Sequence, residues 1–296
     1  MRYASIDLQG RIVPARRQGC VWHTATPSAS LLDLVRDPTG IVFDGPALDE
    51  GVVRFAMPYR PPTIFGIGLN YHDTVREMNW EIPGAPYLFP KLSSSAIGPA
   101  EAIVVDETVT TRADWEGELA VIIGATCRDL DPAHALEAVF GYTAANDISA
   151  RDLQAHDGQW VRGKGLDTFC PLGPVVVTRD EVPNPQNLQI RTLLNGDVVQ
   201  DGNTSDMIFS VADLVSYCSR YFTLSPGDVV LTGTPAGCGD FRTPRMALRP
   251  GDTVEVEVES IGRLVNPVIA PRAVATTTTA PDAALPVFSV NGTPSP

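Results

Sequence analysis

The sequence predicts a mixed, strand-rich α+β protein: a largely antiparallel, curled sheet with peripheral helices. Three observations predict it. Short β-rich runs bounded by Gly, Pro, Asn or Asp recur from about residue 63 to Pro267. Only a few stretches carry the 3.6-residue apolar spacing of a helix. The chain has 296 residues, 44% hydrophobic and 19% charged, enough for a real core in one large domain or two modest ones.

In chain order, residues 1–60 alternate short apolar runs, such as Gly40–Gly45, with one helical stretch, Ser28–Asp37, for which Ser30 is the N-cap. They are expected to form a small N-terminal domain. Met57–Pro62 reads as an extended link, because a residue before proline avoids the helical region. Thr63–Tyr71 is a short strand that runs into a helix-capable segment, His72–Trp80. Strands are expected in Ala102–Val105, Ala120–Gly124, Pro174–Thr178, Leu188–Gly196, Asp228–Gly233 and Asp252–Ser260. Two helices interrupt them. One spans Asp131–Tyr142, with Asp131 as cap and Pro132 in the first turn; the other spans Asp206–Phe222. Residues 61–270 form the expected catalytic domain. The Thr/Ala/Pro-rich end, 271–296, lacks periodicity and is expected to be a flexible tail.

Composition excludes several functions. A net charge of −13 argues against nucleic-acid binding, which needs basic patches to neutralise phosphates. No run of eighteen apolar residues suggests a membrane span, and the N-terminus lacks the apolar centre of a signal peptide, so a cytoplasmic location is expected. Five cysteines are scattered without the paired spacing of a zinc site or disulfide framework. Of 22 basic residues, only Lys91 and Lys164 are lysines. A chain so biased toward arginine keeps lysine where a compact, tunable charge is needed rather than a planar fork, which makes both candidate site residues.

The stretch from Ala113 to Gly124 raises the chemical question. Glu116 and Glu118 stand two apart ahead of an apolar run, so in a strand they share one face. Like charges in a buried place repel. Asp147, after another strand-like run, completes a set of three carboxylates that can cage a hard divalent cation: Mg²⁺, or else Mn²⁺ or Ca²⁺.

Eight stretches, in order, resemble the fumarylacetoacetate hydrolase family: GIGLNY, FPKLSSSAIGP, DWEGELAVIIG, GYTAANDISARDLQ, GQWVRGKGLDTFCPLGP, QDGNTSDMIF, LSPGDVVLTGTPAGCG and LRPGDTVEVEVESIGRLVNPV. They run from about Thr63 to Val268 and resemble most the bacterial isomerase and acylpyruvate-hydrolase members. The resemblance implies a β-roll of mixed type after a small N-terminal domain, usually in a homodimer. It also implies roles: Glu116, Glu118 and Asp147 as metal ligands, Lys164 and Thr168 flanking the metal, Arg151 and Gln154 on the substrate side, Thr234 at the substrate's carboxylate or oxo end, and Lys91 as a second basic residue near the substrate.

The chain departs from that pattern at the helix after Asn70-Tyr71. Many family members place a histidine and a glutamate three apart on this lid to activate water. Glu77 matches the glutamate, but the histidine position is Thr74, and His72 lies two residues earlier. Thr74 and Glu77 share a helical face; His72 points away from it. A threonine is no general base near neutral pH, a loss worth about 10²–10⁴ in rate where water must be activated. The expected function is therefore a metal-dependent enzyme that stabilises the enolate of a small 2-oxo acid or 1,3-dicarbonyl, leading to C–C hydrolysis, decarboxylation or isomerisation, with Lys164, Glu77, His72 and Thr74 as candidate catalytic residues. The alternatives are a biosynthetic cyclase or dehydratase on the same scaffold, or a non-catalytic binder of a metal–oxo-acid complex.

Overall fold

The computed structural model describes residues 1–25 and 29–272; nearly all of the expected tail lies outside them. A twelve-stranded sheet organises the molecule. Its main path runs Ala47–Asp49, Val21–Thr24, Arg11–Gln18, Arg2–Leu8, Cys170–Thr178, Val139–Asn146, Gly117–Ile123, Val229–Leu231, Ile64–Gly68, Tyr87–Lys91. A five-stranded sheet, in the order Asp197–Asn203, Gln189–Leu194, Thr253–Val258, Gly262–Ile269, Ile103–Val104, packs beside it. The named strand pairs are antiparallel, with three parallel exceptions: Val229–Leu231 with Ile64–Gly68, Cys170–Thr178 with Ala96–Ile97, and Gly262–Ile269 with Ile103–Val104. This is the strand-rich α+β class that the sequence predicts. The first strand, Arg2–Leu8, hydrogen-bonds to Cys170–Thr178, so the N-terminal strands extend the main sheet.

Strand Gly117–Ile123 shows why its run Leu119–Ile123 is apolar without alternation. All seven of its residues are buried. Leu119, Val121 and Ile123 face one core cluster, with Tyr142, Val230 and Val256. Ala120 and Ile122 face another, with Val176, Val229 and Leu231. Successive side chains point to opposite faces, and here both faces are covered, so every position from Leu119 to Ile123 is apolar.

The helices keep the expected caps but change length. Ser30 caps Leu31–Arg36 in a reciprocal capping box with Asp33. Asp131 caps a helix with Pro132 in its first turn, yet that helix is only Pro132–Ala135; a 3₁₀ turn follows, and the chain enters strand Val139–Asn146. Pairing of this strand with Gly117–Ile123 overrides local helix propensity. The second helix spans Val211–Tyr221, not Asp206–Phe222. Ser210 and Asp213 form its capping box, and residues 204–206 belong to a separate turn capped by Asn203. The run Gly40–Gly45 forms no strand, although Phe43 packs on Tyr3, ring centroids 5.6 Å apart.

The glycine between the two glutamates is fixed by the second sheet. A Cβ on Gly117 would lie 2.2 Å from Thr192 Oγ1, and the Gly117 N–H donates to Gln200 Oε1 at 2.9 Å. Gly117→Ala is therefore expected to lower stability by about 1–3 kcal/mol through overpacking. Thermal unfolding checks this; an unchanged melting temperature would show that the sheets separate freely at this point.

Candidate metal centre and active site

Antiparallel pairing assembles the charged cluster. Gly117 stands opposite Asn146, which puts Asp147 diagonally beside Glu116; the Asp147 N–H donates to the Glu116 carbonyl at 2.9 Å. Asn146 Oδ1 accepts from the Glu116 N–H at 3.0 Å and fixes its backbone. As a result Glu116, Glu118 and Asp147 are all buried and each offers a carboxylate oxygen within 4.8 Å of the others.

Three cations answer these charges. Lys164 Nζ donates to Glu116 Oε2 and Asp147 Oδ2, both at 2.8 Å. Lys91 Nζ donates to Asp147 Oδ1 and, at 3.1 Å, to the Ile148 carbonyl. Arg151 Nη1 pairs with Glu116 Oε1 at 2.7 Å, and its Nε donates to Asp114 Oδ2 at 2.9 Å. Asp114 was not visible as a site residue in the sequence. It also accepts from the Gly239 and Asp240 N–H groups, and so ties Arg151 to the loop that follows Thr234. Four buried carboxylates thus face three cations.

Glu118 carries the imbalance. Its Oε2 accepts from the Gly233 N–H at 2.8 Å, but its buried Oε1 has no hydrogen-bond partner among the described residues. Burial, with Asp147 and Glu116 adding repulsion, pushes its carboxyl well above the usual range. Asp147 goes the other way: burial would raise it, but Lys164 and Lys91 outweigh that and hold it below its ordinary value. Lys164 likewise stays charged, because Asp147 and Glu116 overcome its desolvation. An orphaned carboxylate oxygen beside two other carboxylates fits a hard divalent cation, which takes oxygen donors. The residues present therefore fit the ion that the sequence predicts.

A cavity of about 360 Å³ opens onto this cluster. Glu116, Lys164, Arg151, Gln154, Thr74 and Thr234 line it. Arg151 and Gln154 sit three apart on helix Arg151–His156, with Arg151 Nη1 donating to Gln154 Oε1 at 3.1 Å. Arg151 Nη2 is buried and has no partner among the described residues. Lys164 ends helix Val161–Lys164. A Cβ on Gly163 would come within 3.0 Å of the Gln154 backbone, so glycine there lets the two short helices touch.

Other candidates from the sequence stand apart from the cavity wall. Lys91 lies behind Asp147. Thr168 is engaged elsewhere: its Oγ1 accepts from the Val104 N–H at 2.9 Å. His72 and Glu77 lie on helix His72–Glu77 but do not line the cavity. Glu77 Oε2 accepts from the Gly237 N–H at 3.1 Å. Thr74 is buried and donates its hydroxyl to the Thr234 carbonyl at 2.7 Å, so it latches this helix onto the Thr234–Gly237 loop. The Thr234 hydroxyl in turn donates to the Gly117 carbonyl at 2.9 Å. The sequence reading missed the cavity's outer wall: Leu69, Met78, Trp80, Trp160, Phe241 and the pair Arg112–Asp240. No spacing connects these residues, since they come from separate segments.

Residues 63–269 match the family profile described as fumarylacetoacetate (FAA) hydrolase, C-terminal. The chain belongs to the fumarylacetoacetate hydrolase family. It is 44% identical over 227 residues to the mitochondrial oxaloacetate tautomerase FAHD2A of Homo sapiens, covering 76% of this chain and 72% of that one. Its fold superposes on fumarylacetoacetate hydrolase from the psychrophile Exiguobacterium antarcticum with a TM-score of 0.84 and 40% identity, covering 92% of this chain and all of that one. It also superposes on maleylpyruvate hydrolase from Sphingobium sp. SYK-6, solved with manganese(II) and pyruvate, with a TM-score of 0.74, 26% identity and the same coverage. Family relatives are thus enzymes of isomerase and hydrolase type. No helix among the described residues is long and apolar enough to cross a membrane.

Proposed function

We infer that this chain is a divalent-metal-dependent enzyme that stabilises the enolate of a 2-oxo acid and interconverts its keto and enol forms, rather than splitting a C–C bond with water. The observation that carries this reading is Thr74. Its hydroxyl is committed to the Thr234 carbonyl, and no histidine lines the cavity among the described residues. Hydrolysis needs an activated water; keto–enol exchange does not.

The chain's own groups bind and polarise the substrate. Arg151 Nη2 offers an unused N–H pair to a substrate carboxylate. Its guanidinium is held by Asp114 and Glu116 and lies over the Phe241 ring, 5.3 Å from its centroid. Lys164 Nζ stays protonated and offers a hydrogen bond to the enolate oxygen. In the keto-to-enol direction the C3–H bond breaks and its proton passes to a water in the cavity; the enolate oxygen gains a proton from water, and the carbon skeleton is unchanged. Glu116, Glu118 and Asp147 would hold a divalent ion, which would supply Lewis acidity worth several kcal/mol. Magnesium and manganese both suit such donors, and manganese accompanies pyruvate in the maleylpyruvate hydrolase relative. The tautomerase name of the human relative supports the same direction. We take a cytoplasmic homodimer as the working assembly.

The test follows oxaloacetate by its enol absorbance and by proton NMR in D₂O, with Mg²⁺ and then with EDTA. Metal-dependent equilibration of enol and keto forms, with C3 deuteration and no loss of carbon, is expected; Glu116→Ala should abolish it. Metal-dependent release of CO₂ or of a cleaved acid would overturn the tautomerase reading. An inert protein that still binds metal and oxo acid would make it a binder.

A further inference from the structure

Charge and exposure run in opposite directions along the cavity. Its inner charged groups are deep: Lys164 is 1% exposed, and Glu116 and Arg151 are 7% each. Its outer wall, apart from the ion pair Arg112–Asp240, is apolar and reaches solvent, with Trp80 54% exposed and Leu69, Met78, Trp160 and Phe241 half-buried. A ligand matched to this wall carries its charge at one end and apolar surface at the other.

The rim offers no unpaired cation for a second carboxylate among the described residues. Three cations line the cavity among the described residues. Lys164 and Arg151 serve the inner end. The third, Arg112, is spent on Asp240, with Nε and Nη2 donating to its two oxygens at 2.8 and 2.6 Å. The Asp240 carboxylate offsets the Arg112 charge and holds its fork away from a second anion.

The apolar wall is also built in advance. Trp160 packs on Tyr87 and Phe89, ring centroids 4.4 and 5.5 Å away. Its ring lies so close to the strand at Gly68 that a Cβ there would approach within 2.9 Å. A fixed aromatic plane binds a flat apolar group without a further ordering cost. The volume of about 360 Å³ falls within the range of about 300–1,000 Å³ typical of sites for larger organic ligands, and a four-carbon diacid leaves much of it unfilled.

We propose that the site selects 2-oxo acids with a single carboxylate and a flat or extended apolar substituent, against dicarboxylates. This rests on the enolate reading above and departs from the dicarboxylate in the human relative's name. The carboxylate meets Arg151, the oxo group faces Lys164, and the substituent lies along Trp160 and Trp80.

The experiment compares tautomerisation of phenylpyruvate and oxaloacetate by the Mg²⁺-loaded protein. Calorimetry of two acids that cannot enolise, phenylglyoxylate and 2-oxomalonate, runs beside it. The expected kcat/KM for phenylpyruvate is at least tenfold higher, and phenylglyoxylate binds at least tenfold more tightly. Trp160→Ala and Trp80→Ala are each expected to cut the phenylpyruvate-to-oxaloacetate ratio severalfold, chiefly through KM. Equal binding, or a preference for the diacids, overturns the proposal; if Arg112→Gln then removes a diacid preference, Arg112 leaves Asp240 to serve the second carboxylate. If neither oxo acid is turned over but phenylglyoxylate still binds more tightly, the reaction assignment falls and the selectivity stands.

Discussion

Glu118→Gln abolishes metal-dependent turnover and at the same time makes the metal-free protein more stable. The two effects share one cause. Glu118 Oε1 is buried without a partner, beside Glu116 and Asp147. An uncompensated buried charge is costly, and an amide removes the charge while its carbonyl can keep the bond from the Gly233 N–H. The same change deletes one of three anionic donors to the ion. Losing Lewis acidity worth several kcal/mol corresponds to about 10³-fold or more in rate. The pH dependence has a definite sign. The folded pKa of Glu118 is raised above its ordinary 4.5, so the fold favours the protonated form. Stability of the metal-free wild type therefore declines as pH rises from about 4.5 through that elevated pKa. Asp147 acts in another window: its lowered pKa contributes stability above its ordinary 3.8 that is lost only below it. Glu118→Gln should flatten the decline, and Mg²⁺ should flatten it in the wild type. Calorimetric melts from pH 5 to 8 with Mg²⁺ or EDTA decide the matter. A variant that melts lower than wild type in EDTA, or that turns over with Mg²⁺, would refute the assignment.

Lys164→Met should be the more damaging change to the fold. Lys164 is 1% exposed and is the common donor to Glu116 and Asp147. Removing one partner of a buried ion pair costs about 3–5 kcal/mol, because the other charges remain buried. In a protein of this size that is a fall in melting temperature of roughly 6–20 °C. Mg²⁺ should restore part of it by taking over both carboxylates. Activity should not return, because the donor to the enolate oxygen is gone; a loss of about 10²–10³ in kcat is expected. Lys164→Arg should fail as well. Phe89 lies 4.8 Å from Nζ, and a planar guanidinium cannot replace a compact ammonium at a site that presents one oxygen from each of two carboxylates. Full turnover by either variant would remove Lys164 from the chemistry.

The strand-rich class was legible because the runs are bounded by turn residues, and the caps at Ser30 and Asp131 because capping is local. The shared face of Glu116 and Glu118 follows from strand spacing alone. Helix ends were not legible where pairing across the sheet decides, as at Val139. Composition singled out both lysines, yet the structure sets Lys91 behind Asp147 and Lys164 on the cavity wall, a difference that only the fold can make. Asp114 was hidden because its partner Arg151 lies 37 residues away. The aromatic rim was hidden for the same reason: Trp80, Trp160 and Phe241 meet only when three distant segments converge.

The strand Arg2–Leu8 has a consequence for any shortened form of the protein. It pairs with Cys170–Thr178, eight of whose nine residues are buried. A chain begun at Thr63 would still hold every residue of the charged cluster and the cavity wall. It would also bare the apolar edge at Val176 and Val177, and open edges recruit other chains. Such a fragment would lose solubility, so the N-terminal strands protect a site whose cavity wall, among the described residues, includes none of theirs.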